Sequence, residues 1–101
     1  MSKSKIDLST ITGFQWDEAN LHKNAEKHQV DFRECEEIFF NQPLRILYDD
    51  KHSQTEDRFA ALGITNEARR LTVVFTVRND KIRVISARDQ SAKEKSYYEN
   101  D

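Results

Sequence analysis

The chain is poor in the residues that build the commonest small sites. Gly13 and Gly63 are the two glycines among 101 residues, so there is no Gly-rich loop to cradle a phosphate. Cys35 is the single cysteine, which excludes an internal disulfide. With no Cys-x-x-Cys neighbour and no metal-ligand spacing it reads as a core residue. His22, His28 and His52 have no paired ligand spacing either, and Asp49-Asp50 with His52 reads as a solvated turn. A serine nucleophile would have no elbow motif to rest on. No apolar run approaches the roughly 20 residues of a membrane span, and Met1-Ser2-Lys3-Ser4-Lys5 leads into no hydrophobic signal segment. A cytoplasmic protein is expected, with no cofactor and no bound metal.

What is present is charge and a modest apolar fraction. The composition is 37% hydrophobic and 34% charged, which suits one domain with a single small core. Residues 1–13 read as a loosely held lead-in anchored by Ile6, Leu8 and Ile11, and residues 14–101 as the domain proper. The net charge of -2 conceals an asymmetry. Residues 1–50 hold 6 basic and 10 acidic side chains, residues 51–101 hold 10 and 8, so the halves carry about minus 4 and plus 2. An acidic whole argues against loose binding to any nucleic acid, but a local basic face can still hold phosphates.

The clearest structural signal is a hairpin. Residues 71–78 and 81–87 are rich in β-branched side chains and flank Asn79-Asp80, a pair suited to a tight two-residue turn. That turn sets Val77 opposite Ile82 and Phe75 opposite Val84, so Leu71, Val73, Phe75, Val77, Ile82 and Val84 share the core face. Thr72, Thr76, Arg78, Lys81 and Arg83 then surround Val74 and Ile85 on the other, basic face. Strict alternation would turn Arg88 into the core, so a bulge or a strand end must re-aim it if it is to join them.

Elsewhere the punctuation is local. Phe14-Gln15-Trp16 is extended or turn-like, and Asp17 is placed to cap a helix running to about His28, with Leu21 and Ala25 on its buried side. Asp31 and Glu34 have capping-box spacing at the start of a second helix, Val30 and Cys35 form its staple, and Phe32, Cys35, Ile38 and Phe39 its apolar stripe. Glu36 and Glu37 face water, and Asn41-Gln42-Pro43 stops the helix. Strands over 44–48 and 58–63 precede the hairpin, a polar loop spans 65–70, and a final helix begins near Asp89 or Ser91. These elements predict an α+β fold: two N-terminal helices on one face of a four-stranded antiparallel sheet, a C-terminal helix, and the other face open.

The candidate chemistry lies in basic and proton-transferring groups: Lys27, His28, His52, Glu56, Arg58, Arg83, Arg88 and Tyr97. Metal-free RNA cleavage needs such groups, because the 2′-hydroxyl must lose its proton, the phosphorane must be met by cations, and the leaving 5′-oxygen must be protonated. Arginine suits the middle task, since its planar fork binds two phosphate oxygens and stays charged. Arg58, Arg83 and Arg88 are the candidates for it. His28, Glu56 and Tyr97 are the candidates for base and acid, with neither role assigned.

Several spaced motifs occur in order: Phe14-x-Trp16-Asp17, Lys27-His28-x-Val30-x-Phe32, His52-Ser53-x-x-Glu56-x-Arg58-Phe59, Gly63, and Ile85-Ser86-Ala87-Arg88 followed by Glu94 and Tyr97. In this the chain resembles the BrnT family of toxins, from about Phe14 to Glu99. The resemblance implies a RelE-like ribonuclease fold, metal-independent RNA cleavage that arrests translation, and a BrnA-type antitoxin that neutralises the toxin and binds the operon DNA. It adds Lys27 to the catalytic set of His28, Glu56, Arg58, Arg83, Arg88 and Tyr97. Members commonly have Gly in place of Gln29, Lys in place of Asn20, and a more basic stretch in place of Asp89-Gln90. An acid beside Arg88 is expected to weaken the local attraction for phosphate. The alternative function is a binding partner in operon repression, whose basic face holds an acidic antitoxin segment without catalysis.

Overall fold

The computed structural model describes residues 6–100 and the backbone of Ser2 and Lys3. The chain runs β1 (Ser2–Lys3), β2 (Gly13–Gln15), α1 (Glu18–Lys27), α2 (Phe32–Glu37), β3 (Arg45–Tyr48), β4 (Phe59–Ile64), β5 (Arg70–Arg78), β6 (Lys81–Asp89) and α3 (Ala92–Glu99). Single 3₁₀ turns lie at Leu8–Thr10 and Asp50–His52. Among these residues no helix is long and apolar enough to cross a membrane.

The β5–β6 hairpin forms as its pattern requires. Asn79 and Asp80 have φ of 51° and 61°, the left-handed pair of a type I′ turn, and Val77 stands opposite Ile82 and Phe75 opposite Val84. Past that point Val74 pairs with Ser86, leaving Ile85 as the extra residue of a β-bulge. The bulge shifts the alternation of β6 by one, so Ala87 is buried in the core opposite Val73 and Arg88 emerges on the other face opposite Thr72.

The sheet is larger and more mixed than four antiparallel strands. Its order is β1-β3-β4-β5-β6-β2, with β1 pairing antiparallel to β3 and β2 parallel to β6. Neither added strand has a run of alternating residues long enough to announce itself. Each exists because a longer neighbour offers an open edge. Gly13, Phe14 and Gln15 pair with Lys81, Ile82 and Arg83, and the Thr12 N–H extends the pairing to the Asp80 carbonyl at 2.7 Å. Ile6 and Ile11 of the lead-in pack against the core.

The helices follow their caps. Asp17 accepts from the Ala19 N–H, while Asp31 with Glu34 and Ser91 with Glu94 each complete a capping box. The buried side of α1 differs from expectation: Ala25 is exposed, and Asn24 takes the buried position one residue earlier. Beyond Arg83 no strand among the described residues lies beside the outer edge of β6, and α1 supplies amides instead. Asn20 Nδ2 donates to the Val84 carbonyl at 3.2 Å, and the Ala87 N–H donates to Asn24 Oδ1 at 3.1 Å. Helix α2 ends at Glu37, ahead of Pro43, and its glutamates are engaged: Trp16 Nε1 donates to Glu36 at 2.8 Å and the Asn66 N–H to Glu37 at 3.0 Å.

The main core lies between α2 and one face of the sheet. Val30, Cys35 and Ile38 pack on Ala61, Leu71, Val73, Phe75, Ile82, Val84 and Ala87, all buried. Burial pushes the Cys35 thiol up to about 12, in keeping with an inert core position. The second face is not left open. Ala60 and Leu62 present apolar surface there, and α3 returns to cover it with Tyr98. The Tyr98 hydroxyl donates to the Pro43 carbonyl at 2.5 Å, and Arg45 Nε donates to the Tyr98 carbonyl at 3.0 Å.

Candidate functional site

The strand register sets out the face beside α3 row by row. In one row Thr76 is followed across the sheet by Arg83 and Gln15, and Arg58 immediately precedes β4, whose first pair is Phe59 with Phe75. In the next come Ala60, Val74 and Ser86, and in the third Leu62, Thr72 and Arg88. Arg83 and Arg88 therefore share a face, their rows separated by the four residues from Thr76 to Thr72, or about 13 Å of strand.

Around the first row the charges interlock. Arg78 grips Glu56 with both Nε and Nη2, at 2.9 and 2.8 Å. That hydrogen bonding, against the opposing effect of burial, holds the Glu56 carboxyl below its usual range, and the charges of Arg78, Arg83 and Arg58 add to it. A carboxylate so paired is a weak base. Arg83 Nη2 donates to Asp17 Oδ2 at 3.1 Å, and Thr76 donates to the Asp57 carbonyl at 2.7 Å. Arg58 makes no side-chain hydrogen bond or ion pair among the described residues, so its fork is available.

Around the third row, Arg88 holds Glu94 at 2.6 and 2.9 Å. Burial pushes the Glu94 carboxyl up, but the bonds from Arg88 and the Ser91 N–H outweigh it and bring it down to about 2. Tyr97 follows Glu94 by three residues on α3, 42% exposed and without a side-chain partner among the described residues.

Lys27 and His28 end α1, and the side chain that holds this end at the carbonyls of His28 and Gln29 is one the sequence did not mark. Arg69, read as part of a polar loop, donates to the His28 and Gln29 carbonyls at 3.2 and 2.9 Å, to Glu34 at 3.1 Å and to both oxygens of Asp89 at 2.7 and 3.2 Å. It caps α1, braces α2 and closes on the end of β6. Asp89 points to the core side of the strand and is paired, with its carboxyl held low chiefly by Arg69. It is therefore not a loose negative charge beside Arg88. Gln90 is buried, donating from Nε2 to the Leu71 carbonyl at 3.1 Å. Lys27 is exposed, and His52 pairs with Asp49 at 2.8 Å in the turn between β3 and β4. No signal in one sequence marks Arg69, because its partners lie 20 to 41 residues away.

Residues 16–94 match the family described as ribonuclease toxin, BrnT, of type II toxin-antitoxin system. The chain belongs to the BrnT family. The crystal structure of the ribonuclease toxin BrnT from Brucella abortus is similar in fold, with a TM-score of 0.57 and 25% sequence identity over 79% of this chain and 97% of that one. No curated protein matches. Membership in the BrnT family makes this chain a toxin of a type II toxin-antitoxin system, with an antitoxin as its partner. The BrnT match takes in most of the candidate residues, from Lys27 to Arg88, and ends at Glu94, leaving Tyr97 outside it.

Proposed function

We propose that this toxin is a metal-independent endoribonuclease that cleaves RNA in the cytoplasm, arrests translation, and is neutralised by a BrnA-type antitoxin that contacts the operon DNA. The observation that carries this reading is the placement of Arg83 and Arg88 on one face of the sheet, with α3 beside Arg88 and Arg58 just ahead of β4. RNA lying along that face meets guanidinium groups whose positions the sheet sets, and a guanidinium aimed in advance stabilises a phosphorane without reorganisation. In this reading the arginines carry the charge stabilisation that the phosphorane needs. His28 and Tyr97 are the groups left for proton transfer, because Glu56 is committed to Arg78 and acts by orienting it. Lys27, exposed at the end of α1, adds positive charge near the RNA backbone.

The test is cleavage of RNA by the purified toxin in excess chelator. Cleavage at the rate seen without chelator is expected. Activity that appears only with added magnesium or manganese overturns the mechanism. No cleavage at all, with the antitoxin still bound, supports the non-catalytic reading.

A further inference from the structure

The geometry points to Glu94 as a positioning residue that aims Arg88 at its phosphate, an inference that rests on the ribonuclease reading. A guanidinium has five N–H donors in one plane. In Arg88 three are taken: Nη1 donates to Glu94 Oε1 at 2.6 Å and to the Asp89 carbonyl at 3.2 Å, and Nη2 donates to Glu94 Oε2 at 2.9 Å. Glu94 thus occupies the end of the fork, between the two Nη atoms. Left over are the Nε hydrogen and the second Nη2 hydrogen, which lie along one edge. That edge is a two-donor fork matched to two oxygens of one phosphate.

The surroundings make Glu94 a firm support. Its Oε1 also accepts the Ser91 N–H at 2.8 Å, so the carboxylate belongs to the capping box of α3, and α3 is fixed to the sheet by buried Tyr98. Only 17% of the Glu94 side chain is exposed, against 42% of Arg88. The carboxylate is the buried half of the pair and the guanidinium the accessible half. An arginine held in this way keeps one orientation, whereas a free one must lose rotamer freedom when it engages phosphate. A carboxylate on its end fork also lowers the net charge a phosphate meets, so what Glu94 supplies is aim rather than attraction.

Glu94→Gln separates these effects, because glutamine preserves the capping box but cannot accept the guanidinium through two oxygens. With a fluorogenic RNA oligonucleotide, kcat is expected to fall about 10- to 100-fold with KM unchanged or lower, while the melting temperature stays within a few degrees. In an Arg88→Lys background, where an ammonium has no fork to aim, Glu94→Gln should change kcat by less than about twofold. Unchanged or increased kcat in the single variant overturns the inference, the increase marking Glu94 as a plug on Arg88. So does an equal loss in both backgrounds, or a loss that simply follows early melting. An inactive wild-type chain overturns the ribonuclease reading and this one together, whereas an active wild type with an unaffected Glu94→Gln overturns this one alone.

Discussion

Adding one methyl group at Gly63 tests the packing beneath the site. A Cβ there would stand 2.7 Å from Ile38 Cβ, 3.2 Å from the Ile38 carbonyl oxygen and 3.3 Å from Ile38 Cδ1. Real carbon pairs sit near 3.5–4.0 Å, so the end of α2 must lift from β4 by several tenths of an ångström. Ile38 is fully buried and cannot swing aside. Lifting α2 also strains the bonds from Asn66 to Glu37 and from Asn41 to the Ile64 carbonyl. Overpacking of this kind costs about 1–3 kcal/mol, partly offset by about 0.4–1 kcal/mol from the lower entropy of an unfolded chain with Ala. The net loss of roughly 1–2 kcal/mol corresponds to a drop in Tm of about 5–15 °C for a domain of this size. Trimming Ile38 to Val should not rescue the variant, because the closest approach is to Cβ and the carbonyl, which valine keeps. Thermal melts of Gly63→Ala with and without Ile38→Val measure both points. A Gly63→Ala protein that melts at or above the wild type refutes the argument, and rescue by valine moves the clash to the side-chain tip.

Two further outcomes follow from single backbone or charge features. Gln29 has φ of 54° just after the C-cap of α1, so Gln29→Gly should raise stability by about 0.5–1 kcal/mol, visible as a higher denaturant midpoint at unchanged slope. A lower midpoint would contradict the left-handed assignment. The Glu94 carboxyl is held from 4.5 down to about 2, so its contribution is complete above pH 4.5 and is lost as pH falls toward 2, amounting to about 1 kcal/mol for a pair that is partly screened by solvent. Acid unfolding of Glu94→Gln should lack that component. Identical acid curves for the two proteins would count against the pair.

The hairpin and the helix caps were legible because each depends on residues close in sequence. Asn79-Asp80 fixed the register through turn geometry, and Asp17, Asp31 with Glu34, and Ser91 lie within a few residues of the N–H groups they cap. The need for a bulge before Arg88 was also readable, since strict alternation conflicted with a charged side chain on the core face. Its position at Ile85 was not, because the extra residue is defined only against the partner strand. Strand β2 was readable only as an extended or turn-like stretch for a similar reason: three residues carry no period of their own, and the edge of β6 makes them a strand. Asn24 and Arg69 were illegible because a polar residue enters a core or a junction only when distant groups satisfy it. Within the candidate site, sequence named the arginines and offered Glu94 or Asp89 as a partner for Arg88, but not the pairing of Arg78 with Glu56, and these pairs decide which forks remain open.

The bulge at Ile85 also makes a strand and a helix commensurate. Four residues of α1 from Asn20 to Asn24 rise about 6 Å. Three residues of regular strand from Val84 to Ala87 would cover about 10 Å, too long for amides one helical turn apart to reach both. Because Val84 and Ala87 stand opposite Phe75 and Val73, only two residues apart on β5, the bulge contracts that distance to about 6.6 Å. Asn20 and Asn24 then meet the Val84 carbonyl and the Ala87 N–H in step. The irregularity that presents Arg88 is thus the same one that seats α1, and the lengths of β6 and α1 cannot be changed independently.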